Sequence, residues 1–252
     1  MGFLVFQLHA PLAAWGDMAV GEYRGSLNWP SESALIGLLG AALGIRRVDE
    51  AAHAALRQGY RYAVGVVAQG SLLRDYHTAQ VPGRAELKKR PHHTRRDELA
   101  IPKHLLNTVL STRDYRQNGA WRIAIQKAQN PLYSLQSLAD ALVKPRFVLY
   151  LGRKSCPLAA PLDPRIIAAE NVKDALEAYR LLQCAQLESQ RNRHGHLPLE
   201  SPEALQQLAW PDHMESGVEP DLTTVRKDRL IRRGGWQFAD RLEHVAMLTG
   251  EE

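Results

Sequence analysis

Residues 142–158 read LVKPRFVLYLGRKSCPL, a short apolar centre with basic residues on both sides. The centre, residues 147–151, combines aromatic and β-branched side chains, and this composition predicts a β-strand. Four cations, a glycine and a serine flank the centre: Lys144, Arg146, Gly152, Arg153, Lys154 and Ser155. Fixed positive charge, forked arginine donors and backbone that a ligand can approach closely are the features that phosphate binding requires.

Tyr150 lies between the two basic groups and offers a ring face on which a nucleic acid base can stack. The same stretch is also compatible with an ordinary strand whose lysines and arginines are simply solvated. The whole chain of 252 residues has 32 Lys and Arg against 27 Asp and Glu, a net charge of +5. This excess favours an anionic partner only modestly, so the clustering of the charges is the stronger indication.

Three further motifs precede this stretch: LAAWG at residues 12–16, PSESALIGLLGAALGI at residues 30–45 and LRDYHT at residues 73–78. Together with KPRFVLYLGRKSCPL they resemble, in the same order, the motifs of the CasD family. This family supplies one subunit of Cascade, the type I-E CRISPR surveillance complex, and belongs to the RAMP superfamily. A weaker match, RRGG, occupies residues 232–235. Four ordered motifs are far more specific than any one of them alone.

The resemblance implies an α+β fold in two parts. Residues 1–157 would form a ferredoxin-like domain of the RRM or RAMP type, with a basic thumb hairpin inserted at about residues 79–110. Residues 158–252 would form a smaller C-terminal subdomain.

The residues themselves predict several of the elements that such a fold needs. Strands are predicted at residues 3–9, 60–67, 72–78, 106–115, 121–126 and 225–231. We expect Pro11 to end the first strand, and Asn118-Gly119 to form a hairpin turn between the fourth and fifth. Helices are predicted after an N-cap at Ser31 or Ser33, and at residues 48–58, 134–141 and 172–186.

Residues 80–99 carry a dense run of cations, interrupted by Pro82 and Pro91, with no apolar periodicity. Taken alone, this composition indicates a solvated or disordered loop. In the family that the chain resembles, this position holds the thumb, which grips the guide RNA and the adjacent backbone subunit, CasC. Arg90 and Arg95 are its candidate RNA contacts, because a basic segment can become ordered when it neutralises phosphates.

The resemblance implies a non-catalytic subunit that binds and caps the 5′ handle of the CRISPR RNA (crRNA) in antiviral defence. Besides the crRNA and CasC, it implies contact with the large subunit, CasA, and with target DNA only through the complex. Trp15 and Tyr150 would stack on bases, and the others would neutralise phosphates or donate hydrogen bonds. The candidate RNA-binding residues are Trp15, Arg24, Arg113, Lys144, Arg146, Tyr150, Gly152, Arg153, Lys154, Ser155 and Cys156, besides Arg90 and Arg95.

Two other functions stay open on the residues alone. His77, beside Tyr76 at the end of a predicted strand, would serve as the base of a metal-independent ribonuclease that processes CRISPR repeat RNA. The resemblance argues against this function, because in type I-E systems a separate subunit cleaves the RNA. The other alternative is a general basic RNA-binding module outside any CRISPR complex.

The sequence predicts no metal, cofactor or membrane contact. Cys156 and Cys184 are the only cysteines and have no paired spacing, and His194 and His196 lack the partners of a closed zinc site. No phosphate-binding loop of the GxxxxGK[ST] type occurs. The longest apolar run, residues 34–45, is too short to span a bilayer, and no signal-peptide pattern opens the chain. We therefore expect a soluble cytoplasmic protein.

Overall fold

The computed structural model describes residues 1–89, 91–194, 202–232, 235 and 237–248, without the side chains of residues 191–194. Within these residues, nine strands form one largely antiparallel sheet. The strands are β1 (Gly2–Ala13), β2 (Tyr23–Arg24), β3 (Tyr60–Ala68), β4 (Ser71–Pro82), β5 (Leu106–Lys127), β6 (Arg165–Ala168), β7 (Gln207–Pro211), β8 (Leu222–Arg232) and β9 (Gln237–Met247). The helices are α1 (Glu32–Leu43), α2 (Glu50–Gly59), α3 (Arg84–Lys88), α4 (Arg95–Leu99), α5 (Leu135–Val143) and α6 (Val172–His194), and Lys103–Leu105 forms a 3-10 turn. None of these helices is long and apolar enough to cross a membrane.

Along the main path of the sheet the strand order is β6-β1-β5-β3-β7-β9-β8. β1 pairs with β5 from Phe3 opposite Gln126 to Ala13 opposite Arg116. Successive side chains of β1 point to opposite faces, so Leu4 joins the core shared with α1 and α5, whereas Phe3 joins the core shared with α6. Helices therefore cover both faces of the sheet.

Serine caps fix where two of the helices begin. The Ser31 hydroxyl accepts a hydrogen bond from the Ala34 N–H, as the sequence predicted for the start of α1. The Ser134 hydroxyl accepts one from the Ser137 N–H at the start of α5. α1 ends at Gly44, whose φ of 77° lies in the left-handed region that glycine tolerates best. Local sequence thus determines these helix ends.

The strand predicted at residues 147–151 is wrong, because residues 144–164 form an irregular connection between α5 and β6. The N–H groups of Arg146 and Phe147 donate to the carbonyls of Ala42 and Ala41 at the end of α1, at 3.0 and 3.1 Å. These backbone groups are satisfied by a helix end, so they are not available to a sheet ladder. We refer to residues 144–158 as the basic loop.

The turn predicted at Asn118-Gly119 is also wrong, and so is the predicted end of β1 at Pro11. β5 runs without interruption from Leu106 to Lys127, and β1 continues to Ala13. The ladder between them pairs the residues on either side of Pro11 and Asn118 but not these two residues themselves. Proline has no N–H to donate, and Asn118 has a φ of 54°. The two strand-breaking residues therefore face each other, and one local irregularity accommodates both.

A long two-stranded arm extends from the sheet. β4 pairs with the first half of β5 from Ser71 opposite Gln117 to Pro82 opposite Leu106, whereas β1 and β3 pair only with the second half. Residues 83–89 and 91–105 cap the end of the arm and contain α3, α4 and the 3-10 turn, whereas the sequence alone indicates a loop at residues 80–99. We refer to residues 71–117 as the arm; it contains the basic segment that was predicted to be the thumb.

The strands that follow residue 157 join the same sheet. β6 pairs with β1 at one edge, and β7 pairs with β3 on the other side. β9 and β8 then extend the sheet beyond β7. The predicted domain boundary at residue 157 falls in the irregular connection before β6. A separate C-terminal subdomain stays a prediction.

A buried ionic cluster holds the β8–β9 hairpin against the first turn of α1. Arg241 Nε donates to Asp228 Oδ1 and its Nη2 donates to Glu243 Oε1, each at 2.6 Å. Arg229 Nη2 lies 3.4 Å from Glu32 Oε2, and the Glu32 N–H donates to Asp228 at 3.2 Å. Burial raises the pKa of Glu32, against the lowering influence of the two arginines. We refer to these five residues as the ionic cluster.

Candidate nucleic-acid interface

The basic loop, one side of α1 and the segment around β2 line a cleft of about 490 Å³. Four residues that the sequence predicted as RNA contacts line this cleft together with Trp15: Arg24, Tyr150, Gly152 and Arg153. The wall on α1 combines the small residues Ala34, Gly37 and Ala41 with the larger Leu35 and Leu38. Where the residues are small, a flat ligand can approach the helix closely, and the two arginines lie beside this wall. The fold thus brings together residues that are far apart in the chain.

Gly152 fixes the basic loop against the residues that follow β1. The Ala14 N–H donates to the Leu151 carbonyl at 3.1 Å. Gly152 itself has a φ of +82°, and a Cβ added there would lie 1.8 Å from the Ala14 carbonyl oxygen. The sequence suggested that this glycine admits a ligand, but the atom that comes closest is part of the protein backbone.

Arg153 joins three segments of the chain at the edge of the cleft. Its Nη1 donates to the Asp114 carbonyl and its Nη2 to the Arg24 carbonyl, both at 3.2 Å. The guanidinium also lies over the Tyr115 ring, 4.5 Å from its centre. Arg153 therefore positions the basic loop relative to β2 and β5, whatever it contributes to a ligand.

The side chain of Asp114 anchors the base of the arm, a role that sequence reasoning missed. Asp114 is 2% exposed. It accepts hydrogen bonds from Arg74 Nε at 2.9 Å and from the Tyr23 hydroxyl at 2.6 Å. The hydrogen bond from Arg74 is the main reason that the pKa of Asp114 is lowered. The only signal in the sequence was the tripeptide Arg-Asp-Tyr, which occurs at residues 74–76 and again at 113–115.

Replacing Asp114 with Asn is expected to destabilise the protein at neutral pH and to make its stability less dependent on acid. The folded-state pKa of Asp114 lies below its ordinary value of 3.8, so the unfolded state binds more protons near that pH. The stabilisation from Asp114 is therefore complete above pH 3.8 and is lost as the pH falls through the folded-state pKa. Urea unfolding of wild type and Asp114→Asn between pH 7 and pH 3 should show the two curves converging. A gap that is independent of pH would contradict this, and Glu219→Gln at an exposed carboxylate should follow wild type throughout.

The other predicted cations differ in their exposure. Lys144, Arg146 and Lys154 are exposed on the basic loop. Arg113 is half-buried and its Nε donates to the Ser111 hydroxyl at 3.2 Å. The three exposed side chains are therefore the ones best placed to meet phosphates in solution.

Trp15 and Cys156 do not present their side chains to a ligand. The Trp15 ring is 2% exposed and packs edge-to-face on Trp121, with 5.1 Å between ring centres. It has no open face for a base, which corrects the stacking role predicted for it. Cys156 is fully buried, its N–H donates to the Arg153 carbonyl, and burial raises the pKa of its thiol. Ser155 beside it is exposed.

Arg95, a predicted contact on the arm, is not part of the cleft lining. Arg95, in α4, donates to Glu98 and to the Gln80 carbonyl. Arg90 lies outside the described residues, as do Arg233 and Gly234 of the RRGG motif.

His77 lies in the middle of β4, opposite Ser111. Its Nδ1 is 3.8 Å from Asp75 Oδ2. Its neighbour Tyr76 points to the other face of the strand, because successive side chains alternate. Tyr76 and His77 therefore do not converge on one substrate atom.

Among the described residues, no group of three or more His, Cys, Asp or Glu side chains is arranged to hold a metal ion. The cleft lining also includes an exposed aromatic residue that was not among the candidate contacts predicted from the sequence. Phe238 reaches the cleft from β9 and is 44% exposed.

Residues 3–240 match the family model described as CRISPR-associated protein (Cas_Cas5). The CRISPR system Cascade subunit CasD of Escherichia coli (strain K12) is 32% identical over 181 residues, which are 70% of this chain and 76% of that protein. A solved structure titled CRISPR RNA-guided surveillance complex aligns with a TM-score of 0.60 at 23% identity, covering 98% of this chain and 90% of the other. Another, titled Crystal structure of Cas protein, has the same TM-score and identity and covers 99% of this chain and 96% of the other. At this identity the two structures demonstrate a shared fold.

Proposed function

The chain belongs to the CRISPR-associated Cas5 family, and from that membership we propose that it is a crRNA-binding subunit of a Cascade surveillance complex. Its finer role is to bind and cap the 5′ handle of the crRNA in a type I-E system, without cutting it. The observation that carries this proposal is the cleft, where the fold assembles Arg24, Tyr150 and Arg153 beside α1.

The cleft has the chemistry that single-stranded RNA needs. Lys144, Arg146 and Lys154 lie outside the cleft lining but on the same basic loop, where they supply exposed charge for the phosphates. Binding of this kind depends steeply on salt. Tyr150 is 37% exposed and offers a face for a splayed base. Small residues on α1 leave room for the sugar–phosphate backbone. The handle is therefore expected to enter between the basic loop and α1.

The arm is the proposed thumb. It extends past the strands that flank its base, and it exposes Leu72, Tyr76 and Val109 along its length. Exposed apolar side chains of this size favour contact with a protein partner, and we propose that this partner is the adjacent CasC subunit. Contact with CasA, and with target DNA through the assembled complex, belongs to the same proposal.

The sheet order supports a ferredoxin-like assignment for the N-terminal part. β6, β1, β5 and β3 lie side by side and are all antiparallel to their neighbours. α1 and α2 connect β1 to β3, and α5 lies between β5 and β6, which gives the βαββαβ sequence of that fold.

Removing two exposed lysines of the basic loop should weaken RNA binding through charge alone. We expect Lys144→Ala with Lys154→Ala to bind CRISPR repeat RNA roughly tenfold more weakly at moderate salt, and the slope of log affinity against log salt to flatten by about 1.4, or about 0.7 for each phosphate contact. The matched control is Lys127→Ala with Lys173→Ala, which removes two exposed lysines at the end of β5 and on α6. Equal salt slopes for the two double variants would contradict the proposed site.

The same titrations, run in EDTA with end-labelled RNA, test whether the protein only binds. Retention of RNA with an intact 5′ handle, preferred over an equally long RNA without the handle, is the expected result. Cleavage that disappears in His77→Ala would replace the proposal with the processing ribonuclease. Binding without any preference for the handle would indicate a general RNA-binding module.

A further inference from the structure

The C-terminal hairpin supplies a second aromatic residue to the cleft. Leu230 of β8 and Phe238 of β9 are paired across the hairpin, and both line the cleft. Leu230 is 4% exposed, whereas Phe238 keeps 44% of its surface exposed. A large aromatic side chain that is exposed at a cleft wall is a common way to hold a nucleic acid base.

We propose that Phe238 is a base-stacking residue of the cleft and acts with Tyr150, which lines another of its walls. This inference rests on the proposed function and deepens it, because it adds a contact that is not among the candidate RNA-binding residues predicted from the sequence. Two aromatic rings on different walls suit single-stranded RNA, whose bases are unstacked and can lie flat against a ring. One base against each ring would fix the strand at two points along its path.

The surroundings of Phe238 fit this role. Strand β8 carries two exposed cations, Lys227 and Arg232, besides Arg229, which is paired with Glu32. Aromatic side chains interleaved with cations are the usual composition of surfaces that bind single strands. The cations of this hairpin could therefore neutralise RNA phosphates next to the base that stacks on Phe238.

The ionic cluster gives the hairpin a fixed position before RNA arrives. Arg241, three residues after Phe238, bonds to Asp228 and Glu243, and Arg229 reaches Glu32 at the start of α1. α1 forms another wall of the cleft, so the cluster sets the spacing between the two walls. A side chain that is held in place loses little conformational entropy on binding, which favours affinity.

The test measures binding of labelled CRISPR repeat RNA by the full chain and its variants. We expect Phe238→Ala to weaken binding about 5- to 100-fold, the range typical of losing one stacked base. Leu181→Ala is the control, because Leu181 is an apolar residue of α6 that is 54% exposed and belongs neither to the cleft lining nor to the basic loop. It should bind within about twofold of wild type, since no stacked base is lost there. Phe238→Trp should retain affinity, whereas Phe238→Leu, which is apolar but has no ring, should lose it.

The outcomes separate this inference from the proposed function. If wild type binds the repeat RNA and Phe238→Ala binds equally well, Phe238 does not stack and the proposed function stands. If wild type does not bind, both fail. If Phe238→Ala does not fold, the Trp and Leu variants decide: equal affinity for these two would show an apolar wall instead of a stacking surface. Quenching of 2-aminopurine placed along the handle, present with wild type and lost with Phe238→Leu, would identify the stacked base.

Discussion

Gly152→Ala is expected to lower the free energy of unfolding by about 3–5 kcal/mol, because it combines backbone strain with a severe steric clash. Gly152 has a φ of +82°, which a residue with a Cβ rarely adopts, and the new Cβ would lie 1.8 Å from the Ala14 carbonyl oxygen. The Ala14 carbonyl belongs to the backbone that follows β1, so, unlike a side chain, it cannot rotate away from the new Cβ. Relief requires the basic loop to shift, and the cleft would lose the positions of Tyr150 and Arg153. Urea unfolding of the full chain measures the loss.

Two other glycines separate the components of this effect. Gly21 has a φ of +55° with nothing within 4 Å of an added Cβ, so Gly21→Ala should cost only the backbone term, about 1 kcal/mol. Gly16 also has open space around its Cβ position and no positive φ, so Gly16→Ala should be close to neutral. If Gly152→Ala is no worse than Gly21→Ala, the approach of the basic loop to Ala14 is not a constraint on the fold.

The second large effect is expected from Arg241→Met, which should destabilise the protein by about 3–5 kcal/mol. Arg241 is 8% exposed and lies between Asp228 and Glu243, which are themselves buried. Burial works to lower the pKa of Arg241, yet the hydrogen bonds and charges of its two partners outweigh burial and leave that pKa raised. Removing the guanidinium leaves buried carboxylates without their main counter-charge. Thermal and urea unfolding both report the change.

Arg180→Met is the matched control for Arg241→Met. Arg180 also pairs with a carboxylate, Glu177, through bonds of 2.5–3.0 Å, but the pair lies at the surface of α6. Exposed pairs of this kind contribute at most about 1 kcal/mol. Similar losses for the two variants would mean that the ionic cluster is not what holds the β8–β9 hairpin. A larger loss for Arg241→Met, accompanied by weaker RNA binding, would connect the hairpin to the cleft.

The parts of the fold that sequence predicted well are those decided within a few residues. The start of α1 at Ser31, one of its two predicted caps, and the helix predicted at residues 134–141 both depend on a side-chain bond that spans three residues. The strand composition of residues 147–151 misled, because their backbone partners are the last carbonyls of α1, about a hundred residues earlier in the chain. Asn118-Gly119 misled for a similar reason. β5 pairs with β1 on both sides of this dipeptide, and this long-range pairing keeps the chain in one strand despite the local turn signal.

The candidate site shows the same division. Residues of the predicted motifs, among them Arg24, Tyr150 and Arg153, do meet at one cleft. Trp15 belongs to the same motifs, but its ring is part of the core, because motif membership does not distinguish a ligand contact from a packing contact. Phe238 was missed because its place in the cleft depends on how the β8–β9 hairpin folds over α1. No local pattern reports that arrangement.

Asp114 has two connections that lead in different directions. Its carboxylate holds Arg74 of the arm, and its carbonyl accepts from Arg153 of the basic loop. In the proposed complex, a partner that displaces the arm would disturb the residue against which the cleft is built, and RNA bound in the cleft would disturb the base of the arm. The coupling free energy between the two binding events would be reciprocal. If the neighbouring subunit changes the affinity for RNA by some factor, RNA must change the affinity for that subunit by the same factor. Assembly order would then change the route to the complex but not its final stability.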